Sequence, residues 1–301
     1  MENPWKGLGG LPRELWILSI TALINRSGSM VLPFLAIYAN KHLGLTISQS
    51  GFILTAYGLG ALITAPFIGK LCDYINPARV MKYSLLLSGL LLFAFPYAVS
   101  FNQILLLTFI WSILNEAFRP ANLVLISSFS SVEQRRMAFA LNRLAINLGM
   151  SIGPAVGGFL VLYNYSLLFY VDAVAHLLSF AFLMNYSSKI VLDRKPAEKL
   201  SGKKFKESRG REKIIFIFLI AFLPIVMVFF QMMSTFPLFL TRELNYSESI
   251  YGLCFTLNTV LIILVEVPLM NYLAKHTNLK LIRAGALLVG IGFGATIFAH
   301  N

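Results

Sequence analysis

Apolar residues run in long, nearly unbroken stretches along this chain, and polar residues collect in the short gaps between them. Runs of roughly 20 apolar residues have the length of a membrane-crossing helix. They predict nine spans, at about 15–39, 46–69, 79–99, 103–129, 138–164, 166–186, 214–240, 249–273 and 279–299. The runs are continuous rather than alternating, so helices fit them and barrel strands do not. Only helices and closed barrels satisfy every backbone polar group in lipid. The first run is too long for a cleaved signal peptide, carries Arg26 and holds no small-residue cleavage site. The fold class is therefore all-α and polytopic, with the lipid bilayer as surroundings.

The polar gaps divide the chain into a six-helix bundle (1–186), a charged and mixed-sign cytoplasmic linker (187–213) and a three-helix unit (214–301). The two helical parts echo one another. "LGLTISQSG" (Leu43 to Gly51) and "LNYSESIYG" (Leu244 to Gly252) share L-x-x-[TS]-x-S-x-x-G, and each sits between two spans. Two units of one design are an arrangement that transporters use.

Composition agrees with the pattern: 57% of residues are hydrophobic and 13% charged, against roughly a quarter charged in soluble domains. The net charge of +12 does not point to nucleic acid, because of where the charge lies. With a cytoplasmic N-terminus, the inner segments hold Lys6, Arg13, Lys70, Arg79, Lys82, Arg135, Arg136 and the linker, while the outer loops hold only Lys41 and Arg242. This is the positive-inside distribution, and it predicts a multi-pass protein of the cell membrane. Cys72 and Cys254 lie in or beside different spans without metal spacing and read as small core residues.

Three stretches carry the functional signal: "NRSGSMVLPF" (Asn25 to Phe34), "GKLCDYINPARVMK" (Gly69 to Lys82) and "NLGMSIGPAVGG" (Asn147 to Gly158). Together they make the chain similar to the major facilitator superfamily, in its drug:proton antiporter branch. The second resembles the family's loop signature G-x-x-x-D-[RK]-x-G-[RK]-[RK]. Gly69 and Asp73 match; Tyr74 and Asn76 depart from it, and the basic residues come late, at Arg79 and Lys82. The resemblance implies a conformational-switch loop of Gly69, Asp73 and Arg79. The third resembles the antiporter motif G-x8-G-x3-G-P-x2-G-G. Gly149, Gly153, Pro154, Gly157 and Gly158 match, and Ala140 stands for the first glycine. In the family this motif favours export over uptake; small residues at such spacing also serve close helix packing alone. The resemblance implies twelve helices, of which the chain carries the first nine.

Ionisable residues inside spans are costly and mark function by default. Arg26 lies about 11 residues into the first span, some ~16–17 Å deep at ~1.5 Å per residue. Glu116 lies at a similar depth in the fourth, with Arg119 three residues on and expected on the same face. Since the resemblance puts the first and fourth helices on a central cavity, an Arg26–Glu116–Arg119 cluster is expected there. Two readings stand: proton or substrate coupling through Glu116, or a structural ion pair. Asp172 and His176 lie one turn apart in the sixth span, which the resemblance makes peripheral; Asp172 reads as a structural partner, with coupling as the alternative, and His176 is placed to bond it or to titrate with it. Glu266 either pairs with basic residues near the inner face or faces the cavity. The phenylalanines and methionines read mostly as lipid-facing or packing residues; since the resemblance puts the first and seventh helices on the cavity, Met30, Phe34, Phe229, Phe230, Met232 and Met233 are candidates for a flexible apolar lining.

No phosphate-binding loop, no metal-ligand spacing and no catalytic nucleophile motif occurs, so no cofactor, metal or enzyme activity is expected. The function expected is alternating-access transport, with proton-coupled efflux of small hydrophobic or cationic molecules foremost. The alternatives are a metabolite symporter or facilitator of the same fold, or a non-transporting binding or regulatory membrane protein built on a shortened version of it.

Overall fold

The computed structural model describes residues 8–186, 209–273 and 278–298. Most of the expected linker, 187–208, lies outside the described residues. The first span is split into α1 (Arg13–Ser27) and α2 (Val31–Ile37). Next come α3 (Ile47–Tyr74), α4 (Pro77–Leu92), α5 (Phe101–Glu116) and α6 (Phe118–Phe129), the last two being halves of the fourth span. After them come α7 (Arg135–Leu160), α8 (Ser166–Asn185), α9 (Arg209–Phe230), the short α10 (Thr235–Leu238), α11 (Glu248–Leu273) and α12 (Asn278–Gly294). Seven of the predicted spans are long and apolar enough to cross a membrane. The other two are helical as well: α7, whose hydropathy three arginines lower, and α12, α-helical over 17 residues.

Helix starts follow from local chemistry. The Thr46 and Ser100 hydroxyls accept the Gln49 and Gln103 backbone N–H, and their own backbone N–H donates to that glutamine's Oε1, closing capping boxes on α3 and α5. Asn76 caps α4 through a bond from the Ala78 N–H, with Pro77 in the first turn. Its φ is −55°. The position therefore holds a cap, not the left-handed turn that would suit the glycine of the family signature.

Helix breaks follow from proline. A proline ring clashes with the carbonyl four residues back and supplies no N–H. Pro33 sits four residues after Ser29, and the gap between α1 and α2 falls at Gly28–Met30. Pro120 sits four residues after Glu116, and α5 ends at Glu116.

The two echoing stretches have the same backbone. Tyr38–His42 and Phe239–Glu243 are both π-helical turns. The next step is left-handed at Gly44 (φ 68°) and at Asn245 (φ 54°), and each chain then enters a long helix. Glycine takes that conformation freely, and asparagine tolerates it.

Glycines set the tight contacts. Gly149, Gly153 and Gly157 lie four residues apart, on one face of α7. A Cβ at Gly149 would stand 2.6 Å from the Arg26 Cβ, one at Gly153 3.1 Å from the Arg26 and Ser29 carbonyls, and one at Gly157 2.9 Å from the Met30 Cβ. The neighbouring face of α7 meets α11. There Gly158 abuts Glu248 and Ser249, and Gly252 abuts the Pro154 carbonyl. One face of the motif thus holds the broken first span and the other holds the second helical unit. Gly69, by contrast, has open space where a Cβ would stand.

Gly252→Val would force apart α7 and α11 at a backbone contact. We expect it to destabilise by about 1–3 kcal/mol, read as a lower unfolding temperature in detergent, while Gly290→Ala, where the added Cβ meets nothing, leaves it unchanged.

Candidate functional site

Where the first span breaks, it opens a small cavity. α1 and the break contribute Arg26 and Ser29, α2 contributes Leu32 and Pro33, and α7 contributes Met150. Tyr57 from α3, Trp111 and Asn115 from α5, and Asp172 and His176 from α8 complete the wall, with Met233 reaching in from the second unit. Most of this lining is apolar or aromatic. Among the described residues, the buried Trp111 indole N–H has no hydrogen-bond partner.

A continuous hydrogen-bond chain runs along the wall. The Tyr57 hydroxyl donates to Glu116 Oε1 at 2.5 Å. Asn115 Nδ2 donates to the Tyr57 hydroxyl at 3.0 Å. Asn115 Oδ1 lies 3.1 Å from His176 Nε2. His176 Nδ1 lies 2.9 Å from the Asp172 carbonyl and 3.1 Å from Asp172 Oδ1. Asp172 Oδ2 accepts the Val31 N–H at 3.2 Å, giving a partner to a backbone donor left over by the break. Asn115, Asp172 and His176 are all buried.

Close helix packing holds these groups. Gly60 lets α3 approach α5, where the Ser112 hydroxyl bonds the Tyr57 carbonyl. Ser84 of α4 bonds the Leu114 carbonyl beside Asn115. Gly89 of α4 admits His176, and Gly28 in the break admits Ala175 and Asp172.

The expected site residues are thus partly assembled. Arg26 lines the cavity, and Glu116 ends the hydrogen-bond chain beside it. The expected ion cluster is not formed: among the described residues, neither Arg26 nor Arg119 comes within ion-pair distance of Glu116. Arg119 is exposed, because the break after Glu116 interrupts the helical spacing that would put both on one face. Asp172 and His176, expected on a peripheral helix, belong to the cavity wall. Asp73 and Arg79 are exposed at the ends of α3 and α4. Met30 and Phe34 are buried and Met233 lines the cavity, whereas Phe229 and Phe230 are exposed. Glu266 falls within α11, but its side chain lies outside the described residues. Tyr57 and Asn115 escape a reading that follows ionisable residues; Asn115, a buried amide beside Glu116, was the visible signal.

Beyond the cavity the two helical units close on each other. Phe34 packs edge-on against Tyr251, which meets Phe255 in the same way. Further along, Lys41 pairs with Glu248 at 2.9 Å, and the Tyr165 hydroxyl donates to the same carboxylate. Burial, then the Glu248 charge, raises the Tyr165 phenol well above its ordinary value. Thr256 of α11 bonds the Ser151 carbonyl of α7 midway along the helices.

The family model described as Major Facilitator Superfamily matches residues 15–301. The chain is 26% identical over 302 residues to the Bacillus subtilis uncharacterized MFS-type transporter YqjV, covering 95% of this chain and 71% of that protein. It is 27% identical over 169 residues to the quinolone resistance protein NorA of Staphylococcus aureus, covering 56% of this chain and 43% of NorA. Among solved structures, it is similar to a bacterial homolog of the human lysosomal transporter Spinster in an inward-facing and occupied conformation. The TM-score is 0.59 at 15% identity, over 84% of this chain and 57% of that one.

Tyr57→Phe removes the hydroxyl that joins Glu116 to Asn115. Leaving buried partners unpaired costs about 1–3 kcal/mol. A thermal unfolding curve in detergent should show that loss, and Tyr83→Phe, at an exposed tyrosine on α4, should not.

Proposed function

The chain belongs to the major facilitator superfamily, and from that premise we propose that it is a secondary active transporter that exchanges protons for small hydrophobic or cationic molecules across the cell membrane. The observation that carries this reading is a largely apolar cavity whose wall holds a hydrogen-bonded series of protonatable groups, shut at one end by contacts between the two helical units. Apolar and aromatic walls suit varied hydrophobic cargo. Buried protonatable groups give a proton a place to compete with it. The match to NorA adds weight to efflux as the direction.

With the N-terminus in the cytoplasm, the Lys41–Glu248 end faces outward and the arrangement is closed to the outside. Opening there breaks the Lys41–Glu248 and Tyr165–Glu248 bonds and parts Phe34 from Tyr251. The glycine face of α7 carries the first span along as the bundles rock. The loop of Gly69, Asp73 and Arg79 is the inner counterpart in this scheme. A proton taken by Glu116 from outside and released inside trades places with cargo.

One observation favours a second reading. Arg26 places a cation in the cavity wall, and a guanidinium pairs well with carboxylate or phosphate. A symporter for an anionic metabolite would use it so.

Inside-out vesicles loaded by a pH jump, with ethidium as the probe, separate the two. Efflux predicts ethidium accumulation driven by the proton gradient, reduced at least ~10-fold by Glu116→Gln, about the size of a lost general acid–base group or more. Ethidium movement that ignores the gradient, or full activity in Glu116→Gln, rules out proton coupling through Glu116. Competition by small carboxylates that disappears in Arg26→Gln would establish the symporter reading instead.

A further inference from the structure

His176 has acceptors on both sides of its ring. Nδ1 faces the carbonyl and Oδ1 of Asp172, and Nε2 faces Asn115 Oδ1. A neutral imidazole carries one N–H and one bare nitrogen; the charged ring carries two N–H groups. With Asp172 ionised, the charged ring fills both sides. Asp172 Oδ1 is buried and has no other hydrogen-bond donor among the described residues, so the His176 Nδ1–H is what it has.

The rest of the chain has the matching direction. Asn115 offers its oxygen to His176 and its amide N–H to Tyr57, so the tyrosine proton points to Glu116. Glu116 accepts through Oε1. Turning the Asn115 amide over reverses every bond. Its N–H then needs a bare Nε2 on His176, its oxygen takes the Tyr57 proton, and the tyrosine oxygen is free to accept a proton from a neutral Glu116. Each orientation leaves room along this row for one proton, on His176 Nε2 in the first and on Glu116 Oε1 in the second.

We propose that His176, backed by Asp172, is a second proton-binding site of the cavity, and that the Asn115 amide makes its occupancy and that of Glu116 mutually exclusive. The amide itself passes no proton. When His176 Nε2 releases its proton to water in the cavity, the amide turns, the Tyr57 hydroxyl follows, and Glu116 Oε1 takes up a proton from the same water. One N–H bond breaks and one O–H bond forms. The charged groups facing the pair are few. α1 brings Arg26, α3 brings Tyr57, and α5 brings Glu116. α2 brings the Val31 N–H. α4 approaches with Gly89 and α7 with Met150. Phe95, in the turn after α4, stacks on Phe169 of α8. The inference deepens the proton-coupled reading of the same cavity, yet the ring's protonation is measurable without any transport.

The test uses the full chain in lipid nanodiscs. His42, His276 and His300 are changed to Gln, and the remaining histidine is labelled with ¹⁵N. At pH 7 the His176 spectrum should show two N–H groups. Asp172→Asn still accepts the Val31 N–H but loses the charge, and should abolish the second N–H signal at that pH. Isotope-edited infrared spectra should show the Glu116 carboxyl ionised wherever His176 is charged. Asn115→Leu should remove that exclusion, letting both groups hold protons in one pH range. A wild-type His176 with a single N–H throughout pH 5–9 overturns the proposal, as does an unchanged signal in Asp172→Asn. Exclusion that survives Asn115→Leu overturns the role of the amide. Correct titration without ethidium transport at any pH would leave this site standing and remove the efflux reading instead.

Discussion

A backbone N–H without an acceptor costs several kcal/mol in hydrocarbon, and this fold interrupts its first membrane-length segment, Arg13–His42, near its middle. Gly28 and Pro33 make the interruption; Asp172 makes it tolerable by accepting the Val31 N–H across to α8. A carboxylate buried for that purpose needs a partner of its own. His176 supplies it one turn further on, and then requires Asn115. The polar wall of the cavity is thus a sequence of debts, each group present because its neighbour would otherwise be unpaired.

The same interruption explains the glycines of α7. The broken segment brings both carbonyls and Cβ atoms close to α7, and so close an approach needs a helix face without Cβ atoms of its own. Gly149, Gly153 and Gly157 form that surface, while Pro154 and Gly158, one position on from Gly153 and Gly157, turn toward α11. The paired G-P and G-G doublets therefore serve two neighbours at once. A helix gripping the first span on one side and the second unit on the other passes displacement between them with little slack, since packed backbones deform less than long side chains.

The spans and the repeated stretch were legible in the sequence because each is periodic or repeated, as was the run of small residues that packs closely in α7. The match between Leu43–Gly51 and Leu244–Gly252 reappears as the same π-turn and left-handed step. Depth was legible too, which is why Arg26 and Glu116 could be placed on one cavity. Direction around the helix axis was not. It depends on uninterrupted helical phase, and Pro120 resets that phase between Glu116 and Arg119. Asp172 and His176 were misplaced for a related reason: only the gap in the first span brings the cavity to α8. Tyr57 was hidden by its neutrality, although a hydroxyl in an apolar run also demands a partner.

The Val31–Asp172 bond also has a bearing on how the chain is made. Its two residues are 141 positions apart, on the order of ten seconds of synthesis at ~5–20 residues per second. The broken span is made well before the residues that satisfy its middle, for three more spans precede α7 and α8. Through that interval the gap at Gly28–Met30 and the charge of Arg26 have none of their final neighbours on α7 and α8. The nascent segment must wait where water or the insertion machinery can shield it, and it reaches its final packing only after the helices it packs against are made.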